Sequence, residues 1–171
     1  MSGLGVLRGL TLFEIVIFVF LRKLSYLCTQ YKRKRIRFRQ IQIIKGMIRN
    51  VLCVALGGAL GSVARYLVSK WIQESAGSAF PVGTMAVNVV GCLLIGIFYG
   101  LADRYGFSGE TKLFLTVGLC GGFTTFSTFM NENLLLLRGG SFILALIYAG
   151  LSVMLGLAAV YAGRMVFVAN S

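Results

Sequence analysis

From residue 47 onward the chain alternates between long apolar stretches and short polar interruptions. Ile48 to Val68 is the first apolar span, with Arg65 inside its C-terminal end, and Lys70 to Pro81 is polar with Gly and Ser. Gly83 to Leu101 is apolar again, Ala102 to Thr111 carries Asp103, Arg104 and Glu110, and Leu113 to Leu137 is a third apolar stretch with polar residues set inside it. Arg138-Gly-Gly makes a tight turn before Ser141 to Val168. Each stretch holds the roughly 20 residues that cross about 30 Å of hydrocarbon at 1.5 Å per helical residue. Lipid offers no partner to a backbone N–H or C=O, so each stretch is predicted to be a helix. The expected fold is an all-α membrane protein with four transmembrane helices, and residues 47–171 form its membrane domain.

Composition supports this class. The 171 residues are 57% hydrophobic and 13% charged, against roughly 45–50% and about 25% for a soluble domain. The 22 glycines would weaken soluble helices but let membrane helices approach closely. Gly57 and Gly61, Gly58 and Ser62, Gly96 and Gly100, and Gly118 and Gly122 are four apart and are read as packing positions. There is no His and there are five carboxylates, a thin stock for acid–base catalysis. Cys28, Cys53, Cys92 and Cys120 form no CxxC pair and read as small apolar filler.

Residues 1–46 differ from the rest. They hold ten of the 17 Lys and Arg with one Glu, a charge of +9, whereas residues 47–171 carry +3. The apolar run Leu10 to Leu21 contains Glu14 and stops at Arg22-Lys23, too short and too charged for a span. Tyr31-Lys-Arg-Lys-Arg-Ile-Arg-Phe-Arg39 follows. Beside a hydrophobic protein such a run is expected to meet anionic lipid headgroups or water rather than nucleic acid. Met47 begins a plausible membrane helix, and translation from Met47 would remove this basic extension.

The chemistry is expected in the third span, at Gly118-Leu-Cys-Gly-Gly-Phe-Thr-Thr-Phe-Ser-Thr-Phe129. Adjacent glycines lower helix propensity and Thr hydroxyls compete for backbone bonds, so the third helix is predicted to be broken mid-membrane. Carbonyls freed there need a partner, such as an ion. Phe126 and Phe129 share one face and Thr125 and Thr128 another, with Ser127 between. Aromatic ring edges are partially positive and hydroxyls donate hydrogen bonds, so together they suit a small dehydrated anion. Asn88 is an amide in an apolar span and must find a partner or a polar path. Arg65 either snorkels to the interface or supplies positive potential at a pore mouth. Tyr148, Ser152 and Gly156 make a polar stripe on the fourth helix.

Three ordered motifs resemble the Fluc, or CrcB, family of fluoride channels: Gly57-Gly-Ala-Leu-Gly-Ser-Val-Ala-Arg-Tyr66, Gly83-Thr-Met-Ala-Val-Asn-Val-Val-Gly91 and Gly121-Gly-Phe-Thr-Thr-Phe-Ser-Thr-Phe129. The resemblance covers about residues 47–168. It implies an antiparallel, dual-topology dimer in the cell membrane that passes fluoride passively out of the cytoplasm and relieves fluoride toxicity. It implies a structural sodium ion on the carbonyls of Gly121 and Thr124 from both subunits. It implies a fluoride pathway along Asn88, Phe126, Ser127, Thr128, Phe129, Tyr148 and Ser152, with Arg65 as the vestibule charge. The partners so implied are fluoride, sodium, the lipid bilayer and a second subunit, identical or related. The basic extension conflicts with insertion both ways. From Met47, Arg49, Arg104, Lys112 and Arg164 on one side face Lys70 and Arg138 on the other, a weak bias. Ten more cations would fix one orientation. The chain is therefore expected to function from near Met47 or to pair with a different subunit.

Three other classes are weighed against this reading. A proton-coupled exporter needs an intramembrane carboxylate, and Glu132 is the one candidate. A scaffold has no need of the third-span motif. An intramembrane enzyme lacks a nucleophile–base pair.

Overall fold

The computed structural model describes residues 12–168, and Leu10, where the first apolar run begins, lies outside them. The described residues are helical, with no strand among them, in the order α1 (Leu12–Ala76), α2 (Val82–Tyr105), α3 (Gly109–Lys112), a π-helical stretch (Leu113–Cys120), α4 (Gly121–Phe123), α5 (Phe126–Arg138) and α6 (Phe142–Val168). Four segments are long and apolar enough to cross a membrane: one within α1, then Val82–Tyr105, Gly109–Arg138 and Phe142–Phe167. They correspond to the four stretches read from the sequence.

The chain divides into two units, Met1–Met47 and Ile48–Ser171, and α1 contributes residues to both. The basic run is helical, which its charge pattern did not announce. Its reason is local: residues 12–45 contain neither Gly nor Pro, and Lys, Arg, Gln and Leu are good helix formers. Leu24, Leu27, Tyr31 and Phe38 in this unit are all exposed.

In the second unit, glycines set how closely the helices pack. A Cβ on Gly57 would run into the backbone of Phe114 and Leu119, and one on Gly61 into the backbone of Leu119 and Phe123. The facing glycines do the same in return, since a Cβ on Gly122 would strike the backbone of Gly58. The membrane part of α1 thus lies directly on the third span. Gly96 and Gly163 play this role between α2 and α6. These are the close approaches that small residues permit in lipid. Fully buried Tyr148, Val87 and Cys120 mark the centre, while much of the outer apolar surface is exposed, as it must be in a bilayer. Arg49–Glu110 and Arg164–Asp103 ion pairs tie the helices together at one end.

Candidate functional site

The third span stops being helical at two residues. α4 ends at Phe123, Thr124 is extended (φ −90°, ψ 158°), Thr125 is extended (φ −147°, ψ 115°), and α5 begins at Phe126. Upstream of this point the backbone is already π-helical over Leu113–Cys120, an arrangement that recurs at functional sites.

Side chains hold the interruption open. Asn88, on α2, donates from Nδ2 to the Thr125 carbonyl at 3.1 Å and accepts the Thr125 N–H on Oδ1 at 2.8 Å. The Thr128 N–H goes to Thr125 Oγ1 at 3.3 Å, so Thr125 caps α5. In an unbroken helix those two N–H groups would serve the carbonyls four residues back, Gly121 and Thr124. Both donors are diverted. The Gly122 carbonyl accepts from Arg65 Nε at 3.1 Å. Arg65 is thereby drawn from α1 to the interruption. Gly91 leaves room beside α2 for the Thr124 methyl group, which a Cβ there would overlap.

Two cavities flank this segment. One, of about 260 Å³, is lined by Asn88, Thr124, Phe126, Phe129 and Ser152 among others. Among the described residues, the buried side-chain oxygen with no protein hydrogen-bond partner is Ser152 Oγ. The other, of about 580 Å³, is lined by Arg65, Lys70, Thr84, Thr128 and Glu132 among others. Thr125 lines both. In the wall of the smaller cavity the rings of Phe126 and Phe129 stand 5.9 Å apart, and Phe129 meets Tyr148 edge-on at 5.0 Å. Phe126 is 73% exposed, Phe129 is 5% and Tyr148 is 0%, so the rings lead from the surface inward.

The residues singled out from sequence are therefore distributed. Asn88, Phe126, Phe129 and Ser152 share the smaller cavity; Thr128 and Arg65 line the larger one; Tyr148 is buried beside Phe129. Ser127 is exposed and lines neither, and Gly121 is exposed. From sequence, Glu132 is a candidate only as the proton carrier of an exporter. In the structure its Oε1 accepts from Thr84 Oγ1 and its Oε2 from the Tyr148 hydroxyl, both at 2.7 Å. Its spacing gave a usable signal, since it lies one helical turn beyond Thr128 and two beyond Thr125. Thr84, buried on α2, carried no such signal.

Comparison with known proteins settles the family. The family model described as "CrcB-like protein, Camphor Resistance (CrcB)" matches residues 52–164. The chain belongs to the CrcB family. Similar relatives carry the name "Fluoride-specific ion channel FluC". The one from Bacteroides fragilis is 48% identical over 119 residues, covering 68% of this chain and 94% of that protein. The one from Phocaeicola vulgatus is 47% identical over 116 residues, 68% of this chain and 96% of that protein. The one from Thermus thermophilus is 48% identical over 116 residues, 68% and 91% respectively. The match to the CrcB model begins inside α1, after the basic run, and takes in the interrupted third span and both cavities.

Proposed function

We propose that the protein is a passive, fluoride-selective channel of the cell membrane that lets fluoride leave the cytoplasm and so relieves its toxicity. The observation that carries this is the smaller cavity, where the unpartnered Ser152 hydroxyl shares a space with two phenylalanine rings and the Asn88 amide. A buried hydroxyl without an acceptor is unfavourable. Ring edges and hydroxyl donors are what a small, strongly hydrated anion needs when it sheds water. The α5 N-terminus adds a positive dipole end next to the same space. The relatives' names support fluoride as that anion.

The working unit of this reading is an antiparallel dimer whose third span is broken at mid-membrane, the second subunit being a related chain of opposite orientation where residues 1–46 fix this one. Gly121 and Phe126, both exposed on the single chain, would face the second subunit. A structural sodium ion fits the donor set, because the carbonyls of Gly121 and Thr124 have lost their helical donors to Asn88 and Thr125. Among the described residues no cluster of three or more His, Cys, Asp or Glu offers a side-chain metal site, so main-chain oxygens are the proposed ligands. A twofold axis would pool them from two subunits around one cation, and the ion would neutralise carbonyl dipoles at the break. Arg65 supplies positive charge to the larger cavity, which serves as the vestibule. Residues 22–45, with nine Lys and Arg and no acid, would lie against anionic headgroups. The test is growth on fluoride of a bacterium lacking its own exporters: expression restores growth, and continued sensitivity with the protein folded in the membrane would refute the reading.

A further inference from the structure

The C-terminal turns of α1 offer the larger cavity two rows of side chains. Arg65, Ser69 and Gln73 are four apart and form one row, and Tyr66, Lys70 and Glu74 form the other. All six line that cavity. The first row is committed to the protein. Arg65 Nε donates to the Gly122 carbonyl, and Gly83 brings the start of α2 too close to Ser69 for any Cβ. Gln73 donates from Nε2 to the Ser78 carbonyl at 2.7 Å and to the Phe80 carbonyl at 3.1 Å, and its Oε1 accepts the Gly83 N–H at 3.0 Å. The second row is exposed, and its members meet one another: Lys70 Nζ stands 3.8 Å from Glu74 Oε1 and 5.9 Å from the centre of the Tyr66 ring.

The charged groups on this cavity are Arg65, Lys70, Glu74 and Glu132, two of each sign. Glu132 is engaged by the hydroxyls of Thr84 and Tyr148, and Arg65 by a carbonyl at the interruption. Lys70 and Glu74 are different, with side chains 55% and 67% exposed. A solvated i,i+4 pair of this kind contributes little to stability, so its bearing is on the field rather than on the fold. Low-dielectric walls focus the field of charges at a cleft and change the local concentration of an ion. With both members present the four formal charges cancel, and loss of either one tips the cavity to one sign. The Tyr66 ring, which attracts an ammonium within about 6 Å of its centre, keeps that of Lys70 beside the cavity.

We propose that Lys70 is a further anion-recruiting residue of the channel and Glu74 its restraint, the pair setting how much fluoride gathers in the vestibule. The inference rests on the fluoride-channel reading above. Lys70 draws the anion into the larger cavity, and Glu74, of opposite sign and one helical turn away, offsets that pull. Neither lines the smaller, ring-walled cavity, so both act on the supply of fluoride and not on the contacts that select it. Their effect is therefore largest at low salt and is lost as the Debye length shrinks from about 30 Å at 0.01 M to about 3 Å at 1 M.

The test is initial fluoride efflux from liposomes containing the full chain, scored per assembled dimer, with an impermeant sodium salt on both faces at about 0.01 M or about 1 M. At low salt Lys70→Gln is expected to slow efflux at least about twofold, Lys70→Arg to retain it, and Glu74→Gln to speed it by a similar factor. The double variant Lys70→Gln/Glu74→Gln restores the formal charge of the cavity and should fall between the two single variants. At high salt all are expected to converge on wild type, which a packing defect would not do. Should Lys70→Gln fail to assemble, Glu74→Gln decides, with faster efflux at low salt alone as the supporting result. Unchanged efflux at low salt, slower efflux in Glu74→Gln, or differences that persist undiminished at high salt overturn the inference. Wild-type protein that passes no fluoride refutes the channel reading itself, so the two failures are distinguishable.

Discussion

Asn88 and Thr125 are joined by two hydrogen bonds, the amide of one grasping both the N–H and the C=O of the other. They are 37 residues apart in sequence, and the pairing resembles a single rung of β-ladder inserted into a helical bundle. It supplies an apolar span with the polar partner that extended backbone at membrane depth requires.

Asn88→Val removes both bonds and leaves two part-buried backbone groups without those partners, at up to about 1–3 kcal/mol each. Thermal unfolding in detergent should show a Tm several degrees below wild type, together with loss of fluoride flux. A Tm within one degree of wild type would mean that the pairing does not hold the interruption.

Ser152→Ala should behave in the opposite sense. The hydroxyl has no protein partner to lose, so its removal is expected to leave Tm unchanged or slightly raised. Fluoride efflux is expected to fall severalfold, because the anion loses a donor. Reduced stability with unchanged efflux would assign Ser152 to packing.

Gly58 and Gly61 are three residues apart and separate cleanly. A Cβ on Gly58 meets its nearest atom at 3.9 Å, the Gly118 carbonyl, whereas one on Gly61 would penetrate the backbone of the third span. Gly58→Ala should therefore assemble normally. Gly61→Ala should yield little folded protein in size-exclusion chromatography. Equal yields from the two would show that α1 does not lie as close to the third span as described.

The basic unit should govern orientation. A chain begun at Met47 is expected to insert both ways, so that a cysteine at Ser78 in a cysteine-free background is labelled from both sides by an impermeant maleimide. The full chain, with ten additional cations, should be labelled from one side only. Two-sided labelling of the full chain would show that these residues do not direct insertion.

The four spans were legible because apolar length is a sufficient signal in a membrane protein: nothing else explains 57% hydrophobic residues in so short a chain. The third-span motif was legible as a locus, since Gly121-Gly122 and Thr124-Thr125 weaken a helix together. What holds the interruption was not. Asn88 was read as an amide in need of a partner, but that its partner is the Thr125 backbone depends on how α2 meets the third span. Glu132 drew attention only as a carboxylate in the wrong solvent, and its two hydroxyl donors come from Thr84 and Tyr148, 48 and 16 residues away. Gln73 falls in a stretch that reads only as a polar loop, and the three backbone groups it meets are not brought together by sequence. The helix through the basic run follows from propensity, since residues 12–45 hold neither Gly nor Pro.

The central claim is most directly tested by loading liposomes that contain the purified protein with equal fluoride and chloride and following each with an ion-selective electrode after external dilution. The account predicts rapid fluoride release with chloride retained, without any energy source, and fluoride release lost in Phe126→Ile and Phe129→Ile dimers. Equal release of the two anions, or fluoride retention by a folded dimer, would contradict it.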